Sequence, residues 1–190
     1  MSKLLGGIMI ICKLLPVFIV IIGASQCVYA SNAKILRSIE GSLFHQVGEK
    51  YGIDPRLLYA IALNESGRRY DKGIAPHPYV FRADDGAHYF NSLTAASTAL
   101  LARLKNTSMI DIGMMQINIH YHPVENPVRL LEPAYNLDAA ASYLKETLSS
   151  TDSIVIGIGR YHSWKPRRAR WYGLRIINTY NNLKILFSPN

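Results

Sequence analysis

Two carboxylates in this 190-residue chain occupy places where a proton could be handled. Glu65 closes the segment Tyr59-Ala60-Ile61-Ala62-Leu63-Asn64-Glu65-Ser66-Gly67. One helical turn back stand Ile61 and Ala62, so its carboxyl sits beside apolar surroundings that disfavour the charged form and raise its pKa. The negative end of a helix dipole pushes the same way. A carboxyl kept protonated near neutral pH is what a general acid requires. The competing reading is an exposed glutamate at a helix end.

Asp111 opens the second constellation, Asp111-Ile112-Gly113-Met114-Met115-Gln116-Ile117-Asn118, which is too polar and irregular for an ordinary core strand. It is either a second carboxylate, able to hold a water, or a turn residue bonded to backbone amides. Glycosidases that use two carboxylates set them about 5 Å apart for retention and wider for inversion. His120 and His122 form the one close histidine pair, and two loop histidines without a third ligand make no metal centre. No cofactor site is read: Gly157-Ile158-Gly159 lacks the third glycine and the strand-to-helix setting of a nucleotide loop. Tyr161, Trp164, Trp171 and Tyr172 could stack on sugar rings, although helical spacing favours Trp171 and Tyr172 as core or half-exposed residues.

Helices must position these groups. Apolar residues at Ile35, Leu36, Ile39, Leu43, Phe44 and Val47 predict a helix over 34–51, ended by Gly52. Asp54 as N-cap and Pro55 at the first helical position begin the next, with Leu57, Leu58, Ile61 and Ala62 on its buried face and Gly67 as its stop. Helices are also expected at 92–105, 136–147 and 153–161, and a long one over 167–186 begun by Pro166. Between 68 and 91, Gly73, Pro76 and Pro78 punctuate a loop. Residues 79–82 and 87–90 then flank Asp84-Asp85-Gly86 as a β-hairpin.

Taken in order, four blocks resemble the soluble lytic transglycosylase (SLT) family, whose domain is related to goose-type lysozyme. The lead Tyr51-Gly52-Ile53-Asp54-Pro55-Arg56-Leu57-Leu58 runs into Glu65-Ser66-Gly67. Gly113-Met114-Met115-Gln116-Ile117-Asn118 follows, then Asn136-Leu137-Asp138-Ala139-Ala140-Ala141-Ser142-Tyr143-Leu144, then Gly159-Arg160-Tyr161-His162-Ser163. The resemblance covers about residues 42–183. It implies a mainly α, lysozyme-like helical domain with a small β-hairpin insertion.

It also implies a reaction on peptidoglycan without a cofactor. Glu65 would protonate the glycosidic oxygen between N-acetylmuramic acid and N-acetylglucosamine, then act as base while the muramic 6-hydroxyl closes a 1,6-anhydro ring. Met115, Gln116 and Asn118 would line the substrate cleft, and Tyr161 would bond near Glu65 or the sugar. Ser66 is counted with these substrate-binding residues, although capping the helix end is its simpler role.

Two departures stand out. Glu65 and Gly113 are separated by 47 residues, more than in many members, and the 79–90 hairpin fills the gap. It is either a lid or cleft wall, as in members associated with conjugation and type IV secretion machinery, or a tolerated surface insertion. The tyrosine block reads Arg160-Tyr161-His162 where the family has Ala-Tyr-Asn, so His162 and Arg160 have no role carried over. A hydrolase using Asp111 and a non-catalytic glycan-binding scaffold are the alternatives. The joint presence of Glu65, Gln116 and Tyr161 counts against the scaffold.

The N-terminus supplies the expected location. Residues 1–30 read as a signal peptide: Lys3 and Lys13, an apolar run from Leu14 to Ala24, then small residues at Val28 and Ala30 before Ser31. An uncleaved inner-membrane anchor is the alternative. Cys27 suggests a lipoprotein, but Gln26 stands where a small residue is needed. Residues 31–190 would form one periplasmic domain without cysteine, since Cys12 and Cys27 both fall in the leader. That domain carries 19 basic and 13 acidic residues, a formal charge of +6, which suits an anionic polymer. Export argues against nucleic acid. The basic run from Lys165 to Arg170 is either a solvated helix start or a binding patch.

Overall fold

The computed structural model describes residues 42–71 and 73–186; the leader, both cysteines and the first part of the 34–51 helix lie outside them. Six α-helices among the described residues make the domain mainly α, as the resemblance implies. They are α1 (Leu43–Tyr51), α2 (Pro55–Ser66), α3 (Leu93–Leu104), α4 (Pro133–Ser149), α5 (Ile154–His162) and α6 (Pro166–Leu186), with a 3-10 turn at Pro127–Leu131 before α4. None of the described helices is long and apolar enough to cross a membrane.

Helix α2 is the axis of the core. Leu57, Leu58, Tyr59, Ala60, Ile61 and Ala62 are all buried, so the helix is apolar on nearly every side, as expected of one surrounded by other elements. Asp54 caps it by accepting from the Arg56 amide at 2.9 Å, with Pro55 in the first turn. The long α6 is bonded to α2 at both ends. Tyr180 donates to Asp54 at 2.7 Å near the start of α2, while Asn64, near its end, bonds Thr179 at 3.0 Å and accepts from Arg175 at 2.8 Å.

Helix α5 lies against α6 at backbone contact. A Cβ on Gly159 would stand 1.9 Å from the Ala169 carbonyl, and one on Gly173 would stand 1.9 Å from the Val155 carbonyl. The glycines of the Gly157-Ile158-Gly159 stretch therefore serve close helix packing. Elsewhere, Tyr51 donates to Asp138 at 3.1 Å and joins α1 to α4.

The 68–91 region holds more strand than its punctuation suggests. Instead of a loop, β1 (Gly67–Tyr70) and β2 (Gly73–Pro76) pair as an antiparallel ribbon. Gly73, at φ 128°, makes a turn that sequence marks only as a break. The expected hairpin follows as β3 (Val80–Ala83) and β4 (Gly86–Tyr89), joined through Asp84-Asp85, with Gly86 at φ 116°.

This hairpin does not stand apart as a loose insertion. β3 also pairs with β5 (Asp111–Ile112), which pairs with β6 (Ile117–Asn118), giving a four-stranded antiparallel sheet in the order β4-β3-β5-β6. The register sets Arg82 opposite Asp111, and Asp111 opposite Asn118. Among the described residues no buried side-chain nitrogen or oxygen lacks a partner.

Candidate active site

Glu65 sits in the last turn of α2, where the helix runs out at the base of a cleft of about 1370 Å³. The cleft exceeds the roughly 300–1,000 Å³ of ordinary small-molecule pockets, a size that suits a stretch of polymer. Asp111, Gln116, Asn118 and Tyr161 line the same cleft, with Arg82, Tyr143, Glu146, His162 and Trp164. Residues from the helix end, the sheet and α4–α6 thus converge on one place.

Burial raises the Glu65 pKa from 4.5 to about 7, and it is the largest of five influences. A hydrogen bond from Tyr172 lowers it, the charge of Asp111 raises it, and Arg175 and Arg82 lower it. Burial wins because a carboxylate loses more hydration than these partners restore. The carboxyl is therefore about half protonated near neutrality, ready either to give or to take a proton.

Tyr172 is the partner that sequence reading places elsewhere. Its spacing on α6 marks it as core or half-exposed, and it is indeed buried. Its hydroxyl nevertheless donates to Glu65 Oε1. Burial first, then the adjacent Glu65 charge, hold both Tyr172 and Tyr161 well above the usual tyrosine pKa, so both remain donors. His162 lies flat on the Tyr172 ring, with centroids 4.8 Å apart and planes at 8°, and so packs the donor in position. Burial, then nearby Arg168, lower the His162 pKa, while Asp111 opposes them. Only the aromatic composition of the segment could have pointed to Tyr172; its distance of 107 residues from Glu65 hides the pairing.

Tyr161 bonds neither Glu65 nor open cleft. It donates to the Met115 carbonyl at 2.8 Å and acts on the Gly113-Gln116 turn. Three further bonds hold that turn. Asn136 accepts from the Met115 amide at 2.8 Å and donates to the Ile112 carbonyl at 2.9 Å. Ser66 Oγ lies 2.8 Å from the Met114 carbonyl and 3.1 Å from that of Ala62, one proton shared between them. Gly113 is at φ 78°, and a Cβ there would stand 2.2 Å from the Leu130 carbonyl and 2.4 Å from Asn136 Nδ2.

Two expected contacts are therefore corrected by burial. Ser66 is 1% exposed and Met115 is 0% exposed, so neither side chain can meet a ligand. Ser66 joins the end of α2 to the turn, and Met115 fills the core beneath it. Gln116 and Asn118 do face the cleft. Gln116 takes a left-handed φ of 49° and donates to the Gly113 carbonyl at 2.8 Å; Asn118 donates to Asp111 at 2.8 Å.

Asp111 is a strand residue rather than a turn residue. It faces Arg82 across the sheet and accepts from the Asn118 side chain. Burial is the largest influence on its pKa, which is raised; Asn118, Arg82 and His162 oppose the rise. Arg160 points away from Glu65: its guanidinium donates to the Ser150 carbonyl and hydroxyl, both at 2.7 Å, and lies over Trp164. The two loop histidines part company, His120 bonding Ser108 and His122 packing on the Tyr143 ring at 4.2 Å.

His77 was not singled out by its sequence. It is 6% exposed between the ribbon and the hairpin. Its Nε2 donates to the Phe90 carbonyl at 2.8 Å, its Nδ1 takes the Tyr70 hydroxyl, and its amide bonds Ser66. The hairpin is in this way tied to the end of the helix that carries Glu65.

With this geometry in place, the comparison with known families is decisive. The family model described as "Transglycosylase SLT domain" matches residues 42–183, and the chain belongs to that family. The family's members are peptidoglycan lytic transglycosylases, which supports a glycan-cleaving enzyme with peptidoglycan as its substrate. Among curated proteins, no match is found.

Proposed function

We propose that this protein is an exported lytic transglycosylase that cleaves the bond between N-acetylmuramic acid and N-acetylglucosamine and leaves a 1,6-anhydro muramic end. The carrying observation is the Glu65 carboxyl, held at a pKa of about 7 and oriented by one tyrosine donor.

With Tyr172 bonded to Oε1, the other carboxyl oxygen serves the substrate. Protonated Glu65 gives its proton to the glycosidic oxygen as the C1–O bond breaks and the acetylglucosamine chain leaves with that proton. The substrate's own acetamido group stabilises the positive charge at C1. Glu65, now a carboxylate, takes the proton of the muramic 6-hydroxyl as that oxygen bonds to C1. The acid is regenerated and no water is consumed. Tyr161, Asn136 and Ser66 keep the Gly113-Gln116 turn fixed, so that Gln116 and Asn118 present a rigid edge to the sugars.

The setting is part of the same reading. The pattern of residues 1–30 supports export to the periplasm, with an uncleaved anchor as its variant. Local opening of the wall for a conjugation or secretion machine is the proposed task, supported by the 79–90 hairpin, whose Arg82 belongs to the cleft.

Digestion of purified sacculi, with mass analysis of the fragments, tests the reaction. Muramic ends lighter by one water than reducing ends are expected. Reducing ends would replace the transglycosylase with a hydrolase in which Asp111, on the same cleft, holds the attacking water. A folded protein releasing no fragment would leave a glycan-binding scaffold.

A further inference from the structure

The last stretch of the chain is charged in one sign only. From Ser153 to Asn190 the sequence holds seven lysines and arginines and no aspartate or glutamate. Three of the seven, Arg160, Lys165 and Arg168, belong to the cleft. The others, Arg167, Arg170, Arg175 and Lys184, lie on α6, a helix of 21 residues and so about 30 Å long.

This helix has two faces. Ala169, Tyr172, Ile176 and Leu183 are buried against the domain. At about 3.6 residues per turn, Arg167, Trp171, Leu174, Asn178 and Ile185 project from the opposite side. Trp171 is 57% exposed, Leu174 48% and Ile185 75%. Helix α5 extends the patch. It runs antiparallel to α6, since Gly159 meets Ala169 and Gly173 meets Val155. That register sets Ile154, 54% exposed, level with Leu174.

Apolar side chains exposed together mark a surface that meets something. Here cations stand among them. Arg167 and Arg170 lie one turn before Trp171 and Leu174 on the same face, and neither makes an ion pair among the described residues. Arg175 lies over the Trp171 ring, 5.7 Å from its centroid. An acidic polymer would answer the arginines and leave the tryptophan, leucine and isoleucines in water. A lipid headgroup layer answers both, because its phosphates meet the cations while the acyl boundary takes the apolar groups. Tryptophan is favoured at that depth.

We propose that the outer face of α6, with Ile154 of α5 beside it, is a docking surface for an anionic phospholipid membrane. The helix lies flat in the headgroup layer and does not cross it. The patch shares no residue with the cleft lining, so this attachment goes beyond glycan cleavage and is independent of it.

Sedimentation with vesicles is the test, using the chain from Ser31 onward, which contains every described residue. One set of vesicles is phosphatidylcholine alone, and the other is an equal mixture of phosphatidylcholine and phosphatidylglycerol. Binding to the anionic set should be stronger by at least about tenfold. A cation near such a surface is worth about fivefold in partitioning, so Arg167→Gln with Arg170→Gln should weaken binding about twentyfold. Arg69→Gln with Lys105→Gln removes the same charge from exposed positions off α5 and α6, and should cost less than about threefold. Leu174→Ser leaves the charge unchanged and should cost about fivefold. The chain has two tryptophans, so in a Trp164→Phe protein Trp171 reports alone, and its emission should shift to the blue on anionic vesicles. Thermal unfolding separates lost binding from lost fold, and the arginine pair still judges the proposal if Leu174→Ser unfolds.

Absence of binding to the anionic vesicles, or equal binding to both sets, overturns the proposal. Equal losses from the two charge-removing pairs do so as well, since they would reduce the effect to bulk attraction. Binding with unchanged Trp171 emission would make the face a site for an acidic protein or polymer instead. The mass of the fragments released from sacculi judges the cleavage reaction separately.

Discussion

The phenol of Tyr172 on α6 donates a hydrogen bond to Oε1 of Glu65 on α2. Burial pushes the Glu65 pKa up to about 7, and the phenol is the largest of the influences that oppose the rise, ahead of Arg175 and Arg82. A phenol whose own pKa is raised well above its usual value cannot give up that proton at working pH, so it acts as a fixed donor.

Tyr172→Phe removes a bond that stabilises the carboxylate. The Glu65 pKa should rise above 7, and the alkaline limb of the pH–rate profile should move to higher pH. The acid half of the reaction weakens, because a carboxyl with a higher pKa gives up its proton less readily, so kcat should fall by about tenfold, within the usual range for losing one hydrogen bond to a charged group. A pH profile of fragment release checks the direction. An alkaline limb moved to lower pH would remove Tyr172 from the site.

Asp111→Asn separates an electrostatic neighbour from a catalyst. The Asp111 charge raises the Glu65 pKa, so its removal should move the alkaline limb to lower pH. Turnover at pH 6 should fall by less than about tenfold, since a catalytic carboxylate is worth far more than that. Loss of all anhydro product at every pH would show that Asp111 takes part in the chemistry.

Glu65→Gln should abolish turnover and stabilise the protein at alkaline pH. The folded pKa of about 7 lies above the unfolded 4.5, so the stability linked to this proton is fully present below pH 4.5 and is lost as pH rises through 7. At pH 8 the native protein therefore holds a carboxylate at a cost on the order of 3 kcal/mol. The glutamine variant carries no such cost. Urea midpoints at pH 4.5 and pH 8 should differ less in the variant than in the parent. Equal pH dependence in the two proteins would mean that the Glu65 pKa is ordinary.

Gly113→Ala strikes the turn that carries Gln116. The positive φ and the Leu130 carbonyl 2.2 Å from the new Cβ together should cost more than about 2 kcal/mol. Asn136→Ala should be similarly costly, by about 2–4 kcal/mol, because the buried Met115 amide and Ile112 carbonyl both lose their partner. Thermal unfolding of each variant measures the loss. A change below 1 °C in either would contradict the packing described for the turn.

Much of the scaffold was legible without coordinates, for a local reason. Helix starts at Asp54-Pro55 and Pro166, the stop after Ser66, and the hairpin about Asp84-Asp85-Gly86 rest on backbone preferences of a few adjacent residues. Glu65 was legible in the same way, as a carboxylate beside Ile61 and Ala62. The ribbon of β1 and β2 was not, because Gly73 and the prolines mark a break in regular structure without saying which strands flank it.

What tertiary structure alone decided is which groups meet. The motif residues divided into those on the cleft, Gln116, Asn118 and Tyr161, and those turned inward to hold it, Ser66 and Met115, with Tyr161 also donating to the Met115 carbonyl. A one-dimensional motif records all of them alike, since site and support lie within a few residues of each other. Tyr172 reaches Glu65 because α6 lies along α2, and Arg82 reaches the cleft because β3 pairs with β5. Burial, which sets the Glu65 pKa, is likewise a sum over elements distant in the chain. Sequence could therefore nominate the acid, while its strength and its partner were fixed only by packing.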